Sequence, residues 1–147
     1  MDLQLLQAVA TELLGAIHAL SGYPVPAAMP PMQAVPVAVM QQKICGKPCP
    51  VKAFYHPEWG VYLDETMDIR GNDFDRSVLL HELVHYLQNT GGRFEKMPVS
   101  CERNQLAEAE AYKIQNLYLA SVNSARRALY TGWTGTCSES RTSSAGD

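Results

Sequence analysis

Positive charge is scarce in this chain. Twelve Lys and Arg against fifteen Asp and Glu leave a formal net charge of -3. No basic stripe offsets that balance, so the electrostatic footprint of a nucleic-acid binder is missing. Long apolar runs are missing too. The longest uncharged stretch, Leu13 to Gln42, is broken by Pro24, Pro26, Pro30, Pro31 and Pro36, and it reads as no transmembrane segment. A secretory leader would need a basic start. Here Asp2 follows Met1, and Gln4, Gln7, Thr11 and Glu12 interrupt the apolar residues. No Cys-x-x-Cys pair occurs, which argues against a cysteine-rich zinc ribbon. What remains is 46% hydrophobic and 18% charged residues over 147 positions, the composition of a single globular domain.

The four cysteines that are present allow three pairings. Cys45 and Cys49 flank a short Gly-Lys-Pro loop, and Cys101 and Cys137 bracket a long helical stretch. The simplest connectivity is Cys45–Cys49 with Cys101–Cys137. It points to an oxidising, extracytoplasmic compartment (periplasmic or secreted), with reduced thiols in the cytoplasm as the alternative.

One stretch carries most of the chemistry: His81-Glu82-Leu83-Val84-His85. Histidines four apart on a helix lie one turn above each other on the same face, where two imidazoles can grip one metal ion. The glutamate between them falls beside a metal-bound water and can take its proton as general base. The surroundings favour the required helix. Val78, Leu79, Leu80, Leu83, Val84 and Leu87 recur at helical spacing, Asn72, Asp73 or Asp75 can cap the start, and Gly91-Gly92 ends it.

Taken in order, residues 2 to 20 predict a first helix with one apolar stripe formed by Leu3, Leu6, Val9, Leu13, Ile17 and Leu20. His18, near its end, reads as structural or exposed. A proline-rich connector follows. Val35 to Ile44 and Val51 to Tyr55 read as strands, the second pairing with Gly60 to Asp64 across a His56–Gly60 turn. Sheet edges recruit extended peptides, so Gly60 to Asp64 is a candidate substrate track. The metal helix spans about Asp75 to Asn89, and a second long helix spans roughly Glu102 to Tyr130. The expected organisation is one domain: residues 1–50 as helix and connector, 51–130 as catalytic core, and 131–147 as a flexible tail.

Two histidines need a third protein ligand, and no histidine follows His85. Glu95, Glu102, Glu108 and Glu110 are the downstream carboxylates. Glu108 and Glu110 lie about 200° apart around their helix, so only one can face the metal. The pattern alone does not choose between them.

The His81–His85 motif followed by Glu108-Ala109-Glu110-Ala111-Tyr112 resembles the gluzincin metallopeptidases, including small bacterial domains of unassigned function, over roughly residues 53 to 120. In that family the third ligand is a glutamate on a later helix, which maps onto Glu108. Tyr112 stands where the family carries an aspartate. The resemblance implies an α+β zincin-like fold with two long helices carrying Zn²⁺ on His81, His85 and Glu108. It also implies a peptidase that hydrolyses peptide or protein substrates with Glu82 as general base. Tyr112, Tyr118, Tyr86 and His56 are the candidate oxyanion or substrate contacts, and Gln88 either orients a ligand or bonds the second helix. The rival expectation is a non-hydrolytic zinc-binding scaffold on the same fold.

Overall fold

A computed structural model describes residues 1–130. They form four helices and three strands in an α+β arrangement: α1 (Leu3–Ser21), β1 (Met32–Val35), α2 (Val37–Ile44), β2 (Ala53–His56), β3 (Gly60–Asp64), α3 (Asp73–Thr90) and α4 (Cys101–Ser121). Local sequence explains where the long helices begin. Asp2, Asn72 and Ser100 each accept a hydrogen bond from the backbone N–H three residues on, which satisfies a donor the helix itself cannot pair. Gly22 closes α1 in the left-handed conformation that L side chains resist.

The sheet order is β1-β3-β2, with β1 parallel and β2 antiparallel to the central β3. The β2–β3 hairpin is the one expected from sequence. Gly60 starts β3 at φ 85°, and a Cβ there would collide with the Pro31 carbonyl oxygen, so a larger residue would push β3 off β1. Alternation then sorts the side chains. Val61 and Leu63 are fully buried against the helices, while Tyr62 points to the other face. On that other face Tyr62 stacks with Phe54, His56 stacks with Trp59, and Lys43 from α2 lies over the Trp59 ring.

Helix α3 is the centre of the molecule. It packs on α1, α4, β2 and β3, and α1 packs in addition on β1 and α4. Leu79, Leu80, Leu83 and Val84 are fully buried between these layers. Helix α1 is long and apolar enough by length and composition to cross a membrane; here Leu6, Val9, Ala10, Leu13, Leu14 and Ile17 lie inside the core.

The structure corrects three expectations. The strand read over Val35 to Ile44 is two elements. β1 ends at Val35, Pro36 has no N–H to continue a ladder, and α2 starts behind it and buries Met40. Tertiary anchoring of one methionine overrides the strand preference of Val37 and Val39. The second long helix stops at Ser121 rather than near Tyr130, because Asn123 adopts a left-handed φ of 60°. The chain then turns back, and Asn116 clamps it by accepting from the Ala128 N–H and donating to the Ala128 carbonyl. Finally, the suggested substrate track Gly60–Asp64 is the central strand, hydrogen-bonded on both sides. The free edge beside α3 belongs to β2. Cys45 and Cys49 form the expected disulfide. The other pairing involves Cys137, which lies outside the described residues, as does the expected tail 131–147.

Candidate metal centre

Burying a polar side chain costs free energy unless it finds partners. Four such side chains, Ser77, His81 and Gln88 on α3 and Gln115 on α4, are almost fully buried where these two helices face each other. Their concentration there marks the site. His81 and His85, one turn apart on α3, direct their Nε2 atoms toward Glu108 on α4. The His81 Nε2 lies 2.9 Å from Glu108 Oε1, the His85 Nε2 lies 3.2 Å from Oε2, and the two Nε2 atoms are 3.2 Å apart. Ligand atoms from all three residues lie within 4.8 Å of one another, so this group could hold a metal ion.

The donor chemistry fits a divalent cation. Two imidazole lone pairs and a carboxylate crowd one small volume, and atoms of that kind share it only around a proton or a cation. The outer ring nitrogens are occupied as well. His81 Nδ1 lies 2.9 Å from Gln115 Oε1, and His85 Nδ1 lies 2.8 Å from Gln88 Oε1.

Rotation about α4 separates the two helical glutamates. Glu108 faces the histidines. Glu110, on the other side, accepts hydrogen bonds from Tyr23 Oη, from Gln88 Nε2 at 3.0 Å and from Arg93 Nε at 3.3 Å. Glu95 and Glu102 are exposed. Gln88 makes contacts on both sides. It meets His85, and it donates to the Ala107 carbonyl of α4 at 2.9 Å.

Glu82 lines a cleft of about 300 Å³ together with His81, Gln115, Tyr112, Ala53 and Phe74. Burial raises the Glu82 carboxyl above its usual range. The charges of His81 and His85 and a hydrogen bond from the Tyr55 backbone N–H pull it down, while Glu108 pushes it up. Such a carboxylate holds a proton more readily than a solvated one. Tyr112, one turn along α4 from Glu108, packs its ring edge-on against His81 and is stacked in turn by Tyr130.

The other candidate contacts are placed elsewhere. The Tyr118 hydroxyl is committed to Arg76 Nε at 3.0 Å, and the Tyr86 hydroxyl donates to the Ala28 carbonyl. His56 shares the outer sheet face with Phe54, away from α3, because alternation along β2 turns only Ala53 and Tyr55 toward the helices. His18 is exposed, with its Nδ1 at 2.8 Å from the Tyr23 carbonyl oxygen. Sequence reasoning missed Ser77 and Gln115. A signal existed: Ser77 lies four residues before His81, and Gln115 lies seven after Glu108, each on its ligand's helix face.

The metal-free centre is a proton site. Burial alone would lower the His85 pKa, but the hydrogen bond to Glu108 and the charges of Glu82 and Glu108 raise it to about 9. Burial would raise Glu108, yet hydrogen bonds from His81 and His85 hold it far below the usual carboxylate range. A cation at this point must displace the His85 proton. Its apparent affinity is therefore expected to rise about tenfold per pH unit and to flatten above about pH 9. Metal-free stability runs the other way. A raised folded-state pKa contributes stability that is complete below the unfolded value of about 6.5 and is lost as pH climbs through the folded one. The gap in melting temperature between metal-loaded and chelated protein should accordingly widen from pH 6.5 to 9. A pH-independent affinity over that interval would remove His85 from the ligand set.

Comparison with protein families, with curated proteins and with solved structures finds no match to this chain.

Proposed function

We propose that this protein is a zinc-dependent peptidase that hydrolyses peptide bonds, with His81, His85 and Glu108 as the metal ligands and Glu82 as the general base. The observation that carries the reading is the convergence of two Nε2 atoms and one carboxylate within 4.8 Å, beside a half-buried glutamate, next to His81 in the chain, that opens onto a cleft. Three protein ligands leave one position open, which distinguishes catalytic from structural zinc sites. Bound zinc would polarise the scissile carbonyl and make its water more acidic.

The chain's own residues supply the rest. Glu82 accepts the proton of the attacking water and passes it to the departing amine nitrogen, so the carboxylate is regenerated when the C–N bond breaks. Tyr112 has its ring against His81 and lines the same cleft, which makes it the candidate donor to the developing oxyanion. Support for a peptide substrate comes from β2. The Asp64 N–H donates to the Lys52 carbonyl, so Lys52 and Asp64 form a hydrogen-bonded pair, and alternation turns the backbone of Ala53 and Tyr55 to the outer edge, where the Tyr55 N–H is taken by Glu82 and the Ala53 backbone is left for a peptide. Ala53 lies in the cleft wall. An extended peptide added there would pass Glu82. The Cys45–Cys49 disulfide is consistent with an oxidising compartment.

The test is elemental mass spectrometry on the purified protein beside His81→Ala, followed by incubation with a peptide library. About one zinc per chain, lost in the variant, with cleavage that a chelator stops, is the expected result. Zinc without cleavage of any library member would favour the non-hydrolytic scaffold. Protein that takes up no metal when zinc is offered would end the reading altogether.

A further inference from the structure

We propose that Gln88 and Gln115 are positioning residues that lock both histidines in the Nδ1–H tautomer, so that each presents a bare Nε2 to the metal. The inference rests on the metal-centre reading above and adds why Nε2, rather than Nδ1, is the nitrogen each ring bares when an ion takes the place of the proton shared with Glu108. An imidazole offers its lone pair at whichever nitrogen lacks the proton, and in water the two tautomers interchange freely. A buried acceptor held against Nδ1 removes that choice. An amide serves only if its oxygen, not its NH₂, faces the ring, and the partners of both amides decide this.

For Gln88 the deciding partners only accept. Its Nε2 faces the Ala107 carbonyl at 2.9 Å and Glu110 Oε1 at 3.0 Å, neither of which has a proton to give. The NH₂ must therefore lie on that side, which leaves Oε1 to accept from His85 Nδ1 at 2.8 Å. Glu110 is itself held by Tyr23 and Arg93. For Gln115 the argument runs through Ser77. The Ser77 hydroxyl spends its proton on the Phe74 carbonyl at 2.7 Å, so it can only accept from Gln115 Nε2 at 3.0 Å. Gln115 Oε1 is then turned to His81 Nδ1 at 2.9 Å. Two independent relays, each ending on a backbone carbonyl of a helix, reach the same result at the two ligands.

The orientation is expensive to build by chance. Ser77, Gln88 and Gln115 are each no more than 5% exposed, so each polar group must find its partner inside the protein.

The experiment compares wild type with Gln88→Leu, Gln115→Leu and Gln115→Glu. Zinc affinity is read by competition with a chelating indicator, and metal-free melting is measured beside it. Each leucine variant is expected to bind zinc about tenfold to a hundredfold more weakly. Gln115→Glu is expected to bind near the wild-type level, because a carboxylate also accepts from Nδ1. A purely structural glutamine would not be rescued in this way. Nitrogen-15 correlation spectra of the zinc-loaded wild type should show Nδ1–H on both histidines, and this reading does not depend on any variant folding. Wild type that binds zinc while both leucine variants match it, or an Nε2–H signal on either histidine, overturns the assignment. Wild type that binds no zinc overturns this inference together with the reading beneath it, a failure distinguishable from the other two.

Discussion

Glu108→Ala is expected to weaken zinc binding by about a hundredfold to a thousandfold, whereas Glu110→Ala should change it by less than about tenfold. The first figure follows from sharing the roughly 10–16 kcal/mol of a structural zinc site over four ligands, at 1.4 kcal/mol per decade. Among the described residues, Glu108 is the carboxylate whose two oxygens reach the histidines, Oε1 at His81 Nε2 and Oε2 at His85 Nε2. Its loss leaves two buried imidazoles facing each other without a counter-charge. The proton that Glu108 holds on His85 loses its partner as well, so the His85 pKa should drop from about 9 in the metal-free variant. Glu110 stands two hydrogen bonds away from His85, through Gln88. When it is removed, Gln88 still donates to the Ala107 carbonyl and keeps its oxygen toward His85. Both variants can be titrated with zinc against a chelating indicator. Zinc lost in Glu110→Ala and retained in Glu108→Ala would overturn the ligand assignment.

Glu82→Gln separates chemistry from binding. The amide is nearly the same size and can remain beside the Tyr55 backbone, but it cannot take a proton from water. Cleavage should fall by about a hundredfold to ten-thousandfold, the usual contribution of a positioned general base. Zinc content should stay at the wild-type level, because Glu82 is not among the three residues whose ligand atoms converge. The substitution also removes a charge whose buried form is costly, so the variant should be at least as heat-stable as wild type in its metal-free state. Turnover within a few-fold of wild type would exclude Glu82 as the base. Zinc loss would place it in the metal's own ligand shell.

The candidate site was legible where its parts lie close together in the chain. His81, Glu82 and His85 share one helix, and helical periodicity alone puts the two imidazoles on the same side. The caps of α3 and the β2–β3 hairpin were legible for the same reason, since a cap or a tight turn is decided within a few residues. Helix α2 was not. Val37 and Val39 have strand preferences, and only the burial of Met40 under the rest of the fold selects a helix there. The end of α4 was also hidden, because the return of the chain depends on Asn116 bonding Ala128 twelve residues on.

By itself, then, the sequence determined the shared helix face of His81 and His85 with Glu82 beside them, the α+β class, the β2–β3 hairpin and the helices α1 and α3. Tertiary structure alone decided which of Glu108 and Glu110 faces the histidines. Two residues of spacing put their side chains on opposite sides of α4, and only the packing of α4 on α3 says which side meets the histidines. It also decided that β2, not β3, is the open edge, because that depends on β1 crossing to pair with β3. The same packing recruited Ser77, Gln88 and Gln115. Their hydrogen bonds reach across two helices, and a bond of that kind is set by how the surfaces meet rather than by any local preference of the chain.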